Sequence, residues 1–303
     1  RAWWDHEHDV SFAPAPAREL TLAFDAGDER GDAEEPDADD ASDTPTLAVR
    51  YSASEVLRHR DFASYTPAEF AEARRLMADL RLAGSLRRSR RQRHSRRHRG
   101  RPDLRRTVRR ALRTGGEPVH RAFLEPATRP RRIVLLCDVS GSMEPYARAL
   151  VRFLHAAVVG RGRVEAFALG TRLTRITREL SSRDPDAAVA AAAHRVVDWS
   201  GGTRLGETLR EFNDRWGVRG MARGAVVVIL SDGWDRGDPE VLAEQMARLH
   251  RVAYRVVWVN PLKASPDFAP LARGMAAALP FVDEFVEGHS LASLEHLAEV
   301  VSR

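Results

Sequence analysis

The sequence has very little cysteine and lysine, and it has no long hydrophobic run. Cys137 is the only cysteine among 303 residues, so neither an intramolecular disulfide nor a zinc cluster of thiolates can form. Lys263 is the only lysine. No phosphate loop of the G-x-x-x-x-G-K type occurs, so we do not expect the chain to bind or hydrolyse ATP. The apolar run from Ala225 to Leu230 is far too short to span a membrane, and we expect a cytoplasmic protein.

Positive and negative charges occupy separate blocks, and the net charge of +5 therefore says little about partners. Residues 25–46 are acidic, contain few large apolar side chains and are interrupted by Pro36 and Pro45. This composition predicts a disordered linker within an acidic, largely disordered N-terminal segment, residues 1–46.

Residues 47–128 are predicted to form a helical, arginine-rich extension. Thr66 and Glu69 form a capping-box pattern at the start of one helix. A second helix is predicted over Leu104–Leu112, after Asp103 as its N-cap. Apolar side chains line one face of this second helix, and the opposite face carries arginines, namely Arg105, Arg106, Arg109 and Arg110.

The arginine tract at residues 86–101 allows two interpretations. Together with the following helix, the segment 86–113 would suit binding to the phosphates of a nucleic acid. However, no Phe, Trp or Tyr lies between Ala71 and Ala122, so there is no platform on which single-stranded bases could stack. A solvated loop, or a patch that meets an acidic protein, explains the tract equally well.

The stretch Arg131–Met143 carries the strongest signal in the sequence. The apolar run from Ile133 to Cys137 is typical of a strand that is buried on both faces. Asp138 ends this run and begins the spacing D-x-S-x-S, which continues with Ser140 and Ser142 on a tight loop. A helix is predicted to follow. The pattern therefore places one carboxylate and two hydroxyls at the carboxyl end of a strand.

The rest of residues 129–303 alternates strand and helix regularly. This alternation predicts an α/β domain with a doubly wound, Rossmann-like and mostly parallel sheet. In such a sheet the carboxyl ends of the parallel strands lie along one edge, where ligands bind. Two further loops at this edge carry oxygen ligands, because Thr203 precedes a predicted helix and Asp232 follows the strand Ala225–Leu230.

The converging oxygens predict a metal site. Two carboxylates and three hydroxyls are hard oxygen ligands of low total charge, which suits Mg²⁺, and Mn²⁺ would fit the same set. The five predicted ligands are Asp138, Ser140, Ser142, Thr203 and Asp232. The alternative is that Asp138 and Asp232 merely cap the loops between strands and helices.

This constellation resembles the metal-ion-dependent adhesion site of von Willebrand factor type A (vWA) domains. D-x-S-x-S, a distant threonine and a later aspartate occur here in the family's order. The resemblance implies that Mg²⁺ is bound partly through water and that an Asp or Glu of a partner completes its shell.

The segment before the domain is similar to that of the CoxE-like group of prokaryotic vWA proteins. The similarity includes Asp61-Phe62, Thr66–Glu69 and the stretch 103–119. It implies a cytoplasmic adaptor that works with a MoxR-type AAA+ ATPase in the maturation or remodelling of a metalloenzyme or another complex. We expect Arg105, Arg106 and Arg109 to contact an acidic partner surface, unless their helix packs on its own domain.

We do not expect the chain to be an enzyme. Ser140 lies in D-x-S-x-S rather than in the G-x-S-x-G of a hydrolase nucleophile, and no histidine is placed beside it in the sequence. A metal-dependent hydrolase is the weaker alternative, and a nucleic-acid-binding protein that uses segment 86–113 is the stronger one.

Overall fold

The chain divides into two units, Arg1–Arg58 and His59–Arg303. The computed structural model describes residues 53–78, 80, 82–97, 99–118, 120–160, 163–196, 202–264 and 272–303. The predicted disordered linker at residues 25–46, and with it the whole segment 1–46, lies outside the described residues. The first unit is therefore described only from Ala53 onward, where α1 begins.

The described helices alternate with strands through most of the second unit. The α-helices are α1 Ala53–His59, α2 Pro67–Ala78, α3 Leu104–Ala111, α4 Glu144–Val159, α5 Pro185–Arg195, α6 Leu205–Phe212, α7 Pro239–His250, α8 Arg273–Ala278 and α9 Leu291–Ser302. The strands are β1 Leu86–His94, β2 Arg101–Pro102, β3 Phe123–Pro130, β4 Ile133–Asp138, β5 Val164–Leu169, β6 Leu173–Arg175, β7 Val226–Leu230, β8 Arg255–Asn260 and β9 Glu284–Glu287.

The main sheet has six strands in the order β6-β5-β4-β7-β8-β9. All neighbouring pairs are parallel except β5 and β6, because β6 returns antiparallel at one edge. The predicted doubly wound, mostly parallel α/β fold is confirmed. From β4 the chain passes first to β5 on one side and later to β7 on the other. A crevice therefore opens between the carboxyl ends of β4 and β7, where such folds bind ligands.

The strands at the centre of the sheet are buried on both faces. All six residues of β4 and all five of β7 are buried. Val134 and Leu136 face the core beneath α6, α7 and α8, while Ile133 and Leu135 alternate to the opposite face. Burial raises the pKa of the Cys137 thiol, and the neighbouring Asp138 charge adds to this effect. The thiol therefore stays protonated as a small core group.

The extension that precedes the main sheet is only partly helical, so the prediction for residues 47–128 needs correction. The capping box at α2 is present, since Thr66 and Glu69 each accept a hydrogen bond from the other's backbone N–H. The tract 86–101, however, is not a loop. Most of it forms β1, which pairs with β3. On its other side β3 pairs with β2, which completes a three-stranded antiparallel sheet.

The extension also continues into the domain without a break at the predicted boundary. β3 runs across residues 128 and 129 and ends only at Pro130. The amide of Arg131 then donates to the carbonyl of Ser85 over 2.9 Å, and the amide of Ser85 donates to the carbonyl of Val301 over 3.2 Å. Backbone hydrogen bonds thus connect the small sheet to the last helix of the main domain. Within the described residues, no helix is both long and apolar enough to cross a membrane.

Candidate metal centre

Three loops converge on the carboxylate of Asp138 at the end of β4. Its Oδ1 accepts hydrogen bonds from the backbone N–H of Ser140 over 2.9 Å and from the Thr203 hydroxyl over 2.7 Å. Its Oδ2 accepts from the Ser231 hydroxyl over 2.7 Å. Asp138 is completely buried, with 0% of its surface exposed. One buried carboxylate thus connects the loops after β4 and β7 with the loop that precedes α6.

The environment of Asp138 disfavours its ionised form. Burial is the largest influence, and together with the charge of Asp232 it raises the pKa of Asp138 to about 6. The hydrogen bonds from Ser231, Thr203 and Ser140 oppose this rise. At neutral pH the carboxylate is still ionised, yet it lacks the solvation that water would give it. A cation at this position would supply the missing stabilisation.

The two serines of D-x-S-x-S lie side by side on the turn between β4 and α4. A short 3₁₀ turn, Gly141–Met143, leads directly into α4. The hydroxyl oxygens of Ser140 and Ser142 are 3.1 Å apart. Ser140 is buried whereas Ser142 is exposed. The pair therefore leads from the buried carboxylate to the solvent.

The loop after β7 contributes a second carboxylate at the same edge. Asp232 is 6% exposed, and its Oδ1 accepts from the backbone N–H of Trp234 over 2.9 Å. Gly233 between them has a φ of +80°, and a Cβ there would lie 2.7 Å from Cε of Met275. Only glycine fits this turn without strain. The Trp234 side chain is 67% exposed beside the carboxylate.

Thr203 is fixed by the start of α6. Residues 197–201, which include the first part of Ser-Gly-Gly-Thr, lie outside the described residues. The carboxylate of Asp235 accepts from the backbone N–H groups of Leu205 and Gly206 over 2.9 and 3.4 Å. Asp235 therefore caps α6 from the loop that follows β7. This cap joins two of the three loops and holds Thr203, which is 1% exposed, against Asp138.

The oxygen set fits a small hard cation better than a transition metal. Within the described residues, no three histidine, cysteine or acidic side chains come together to hold a metal ion. A cation at this edge would therefore depend on hydroxyl oxygens as well as carboxylates. Because the Thr203 hydroxyl donates its proton to Asp138, its oxygen lone pairs stay available to a cation. Two carboxylates with neutral hydroxyls match the preference of Mg²⁺.

Residues 73–294 match the family model described as "VWA domain containing CoxE-like protein". The chain belongs to this family. The match begins within α2 and ends within α9, so it includes the small three-stranded sheet as well as the main sheet. No curated protein matches the CoxE-like chain.

Several solved structures resemble the CoxE-like chain at low identity. A von Willebrand factor type A protein from Catenulispora acidiphila is 17% identical with a TM-score of 0.41, over 60% of this chain and 44% of that one. Proximal thread matrix protein 1 from the mussel byssus is 14% identical with a TM-score of 0.40, over 56% of this chain and 46% of that one. Another structure of the mussel protein, with a TM-score of 0.35, is described as having a zinc-occupied MIDAS motif. The chain thus spans less than half of these proteins, and its family assignment rests on the family model.

The structure brings together the residues predicted for the site and adds others. The sequence did not single out Ser231, which binds Asp138, or the capping role of Asp235. Two residues of β8 also support the loop, because Trp258 Nε1 donates to the Ser231 carbonyl over 2.8 Å and Asn260 Nδ2 to the Asp232 carbonyl over 3.1 Å. Asn260 is the last residue of β8, and because the carboxyl ends of parallel strands share one edge, its position was the available signal.

The arginines predicted to bind a partner lie elsewhere. Arg105, Arg106 and Arg109 are exposed on α3, which contributes no residue to the three loops. Their helix does pack on the protein, because Thr107 accepts a hydrogen bond from the Ala122 amide and Ala111 is buried. The arginine face is open to solvent.

Proposed function

We propose that the CoxE-like chain is a non-enzymatic, Mg²⁺-dependent adaptor. It would bind proteins and work with a MoxR-type AAA+ ATPase in the maturation or remodelling of a metalloenzyme or another complex. The observation that carries the proposal is the fully buried Asp138 carboxylate, to which three loops supply hydroxyl and amide donors. An ionised carboxylate at such a depth is costly unless a positive charge lies beside it.

The first step of the proposal is that five side chains hold the cation. These ligands are Asp138, Ser140, Ser142, Thr203 and Asp232. Bound Mg²⁺ would supply a positive charge that attracts an anionic oxygen. The two carboxylates balance the charge of Mg²⁺ and the three hydroxyls are neutral, so a coordination position that water would fill can still accept a further carboxylate.

The second step is that this further carboxylate belongs to another protein. Exposed Ser142 and exposed Trp234 lie on the solvent side of the buried carboxylates, so the approach is open. An exposed tryptophan next to a charged centre is the type of side chain that anchors protein interfaces. The Arg236 side chain packs against Gly202, one residue from Thr203. It places a positive charge on the same approach and would favour an acidic residue of the partner.

The third step concerns chemistry, and the site is better suited to binding than to turnover. In the described part of the chain, the Ser140 hydroxyl lies beside that of Ser142 and no histidine hydrogen-bonds to it. A hydrolytic serine needs such a base. Domains of the vWA family are generally interaction modules, which agrees with this assignment.

The ATPase partner is inferred from the family, and a binding experiment would test this inference directly. The purified chain and the MoxR-type ATPase from the same organism are mixed without nucleotide, and binding is measured with Mg²⁺ and then with EDTA. We expect binding that EDTA weakens and that Ser142→Ala or Thr203→Ala makes independent of Mg²⁺. Ser302→Ala, at an exposed serine on α9, is the matched control and should bind normally.

A further variant separates the cation from the interface around it. Trp234→Ala should weaken binding by about tenfold or more, as expected of an interface anchor, and should leave the Mg²⁺-dependent rise in melting temperature intact. Binding that survives both EDTA and Asp138→Ala unchanged would show that the metal centre is not the docking point. Turnover of a generic phosphoester that depends on Asp138 would instead favour a hydrolase.

A further inference from the structure

The helix α3 carries an apolar stripe that is exposed to solvent. Leu104, Val108 and Leu112 are 72%, 56% and 75% exposed. They are spaced four residues apart, so they lie above one another on one side of the helix. Large aliphatic side chains scattered singly on a surface are ordinary, but a contiguous row of them marks an interaction site.

The helix itself is held firmly by its other side. Asp103 caps it by accepting from the backbone N–H of Arg106 over 3.0 Å. The Ala122 amide donates to the Thr107 hydroxyl over 3.0 Å, and the Asp103 amide donates to the Ala122 carbonyl over 2.8 Å. Ala111 is buried. The stripe is thus presented by a fixed helix and not by a loose segment.

The arginines of α3 flank this stripe on one side only. With about 100° between successive residues, the inward positions, the apolar stripe and the arginines occupy three consecutive sectors of the helix. Arg105 and Arg109 lie next to the stripe, and Arg110 lies on the far side of the arginine sector. The helix LRRTVRRA contains no acidic residue. Its exposed surface therefore combines an aliphatic row with a strongly positive border.

We propose that α3 is a docking helix for another protein, whose binding surface is an apolar groove with Asp and Glu side chains along one rim. The row of Leu104, Val108 and Leu112 would lie in the groove, as in other complexes of amphipathic helices. The acidic rim would face Arg105 and Arg109. The acidic rim follows from charge complementarity, because a rim without Asp or Glu would leave the positive charges of these arginines unpaired in the complex.

Two other classes of partner fit these observations less well. A nucleic acid would pair with the arginines but would leave the aliphatic row in water. A membrane would accept the row, but three aliphatic side chains on one short helix and its C-cap offer little area for insertion, and no Phe, Trp or Tyr lies between Ala71 and Ala122 to anchor it. A protein groove alone uses both sectors.

A photo-crosslinking experiment in the native host tests this proposal. The probe is p-benzoylphenylalanine, placed at Val108 of the full-length chain, and the control is the same probe at Arg110. We expect an adduct with one protein from Val108 and not from Arg110. The crosslinked peptide of that protein should contain apolar residues bordered by Asp or Glu.

Variants in the Val108 probe background then test the two sectors. Leu104→Ala combined with Leu112→Ala should lower the crosslinking yield by at least about tenfold, since two apolar anchors are lost. Arg105→Glu combined with Arg109→Glu should lower it similarly through repulsion, and the corresponding Lys variants should restore it. All these positions are exposed, and an unchanged melting temperature confirms that each variant is folded.

Every other outcome contradicts the proposal. Such outcomes are no adduct at Val108, equal adducts at Val108 and Arg110, or an adduct with nucleic acid, with lipid or with this chain itself. The inference extends the proposed function only in that both assign a protein partner. The two fail separately, because a missing Mg²⁺ response would refute the metal centre and leave the Val108 adduct unaffected.

Discussion

Replacing Asp138 with asparagine should stabilise the metal-free protein at neutral pH. Burial raises the pKa of this carboxyl to about 6 from an ordinary value of 3.8. Each pH unit of difference corresponds to 1.36 kcal/mol, so the ionised carboxylate lowers the free energy of unfolding by about 3 kcal/mol. The unfolded chain loses this proton near pH 4 and the folded chain near pH 6. Stability therefore falls as the pH rises through that window, and the full cost is present at pH 7.

The asparagine variant removes the charge but keeps most of the geometry. Its Oδ1 can still accept from the Ser140 amide and the Thr203 hydroxyl, and its amide can donate to the oxygen of Ser231. The lost charge-assisted hydrogen bonds offset part of the gain. We expect a net rise of about 1–2 kcal/mol, or a few degrees in melting temperature for a unit of this size.

Addition of Mg²⁺ should stabilise the unchanged chain but not the asparagine variant. At ten times its dissociation constant, Mg²⁺ stabilises the unchanged chain by about 1.4 kcal/mol. Asp138→Asn should show no such increase, because the central carboxylate is lost. Differential scanning calorimetry of chelator-treated protein at pH 7, with ionic strength matched by NaCl, measures both quantities.

A matched control separates the loss of charge from the loss of the site. Asp238→Asn makes the same change of charge at an exposed residue that caps α7, and asparagine caps a helix equally well. This control should respond to Mg²⁺ like the unchanged chain. Two results would refute the reasoning: an unchanged chain indifferent to Mg²⁺ and Mn²⁺, or a metal-free Asp138→Asn variant less stable than its parent at pH 7.

Three further substitutions probe the loops around this carboxylate. Gly233→Ala should lower the free energy of unfolding by more than about 2 kcal/mol, because alanine is strained at a positive φ and its Cβ would press against Met275. Urea unfolding measures this free energy, and an unchanged value would contradict the geometry of this turn. Asp235→Ala should cost about 1 kcal/mol through the lost cap of α6, whereas Asp235→Asn should largely preserve stability in the same assay. Ser231→Ala should weaken Mg²⁺ binding severalfold in a calorimetric titration, since Asp138 loses the donor that orients its Oδ2. An unchanged affinity would show that Ser231 does not contribute to the metal site.

The central sheet and the site were predictable because their signals are local and strong. Residues 133–137 are uninterrupted apolar residues, which is typical of a strand buried on both faces. The oxygen-bearing residues follow strand ends or precede a helix, and a parallel sheet places those positions on a shared edge. Asp138 and Thr203 could therefore be brought together from the sequence, although 65 positions separate them.

The strand β1 was not predictable for the opposite reason. The segment LRRSRRQRH has neither apolar alternation nor a turn signal, so its composition indicates a solvated loop. It becomes a strand because it pairs with β3, from Leu86 with Pro130 to His94 with Leu124. Such pairing across a long separation overrides local propensity. The capping of α6 by Asp235 was missed for the same reason, since the capping carboxylate and the start of the helix are about 30 residues apart in the sequence.

The two proposed docking surfaces differ in what must be bound before a partner can approach them. At the proposed metal centre, the carboxylates are buried and would attract a partner only through a bound cation, so a partner's carboxylate would bind only when Mg²⁺ is present. On α3, the arginines and the aliphatic row are exposed, and nothing has to be bound before a partner can approach. Long-range attraction to the arginines would raise the rate of encounter and would weaken with added salt. A partner that uses both surfaces should therefore associate faster at low salt whether or not Mg²⁺ is present, and should dissociate more slowly only when Mg²⁺ is bound.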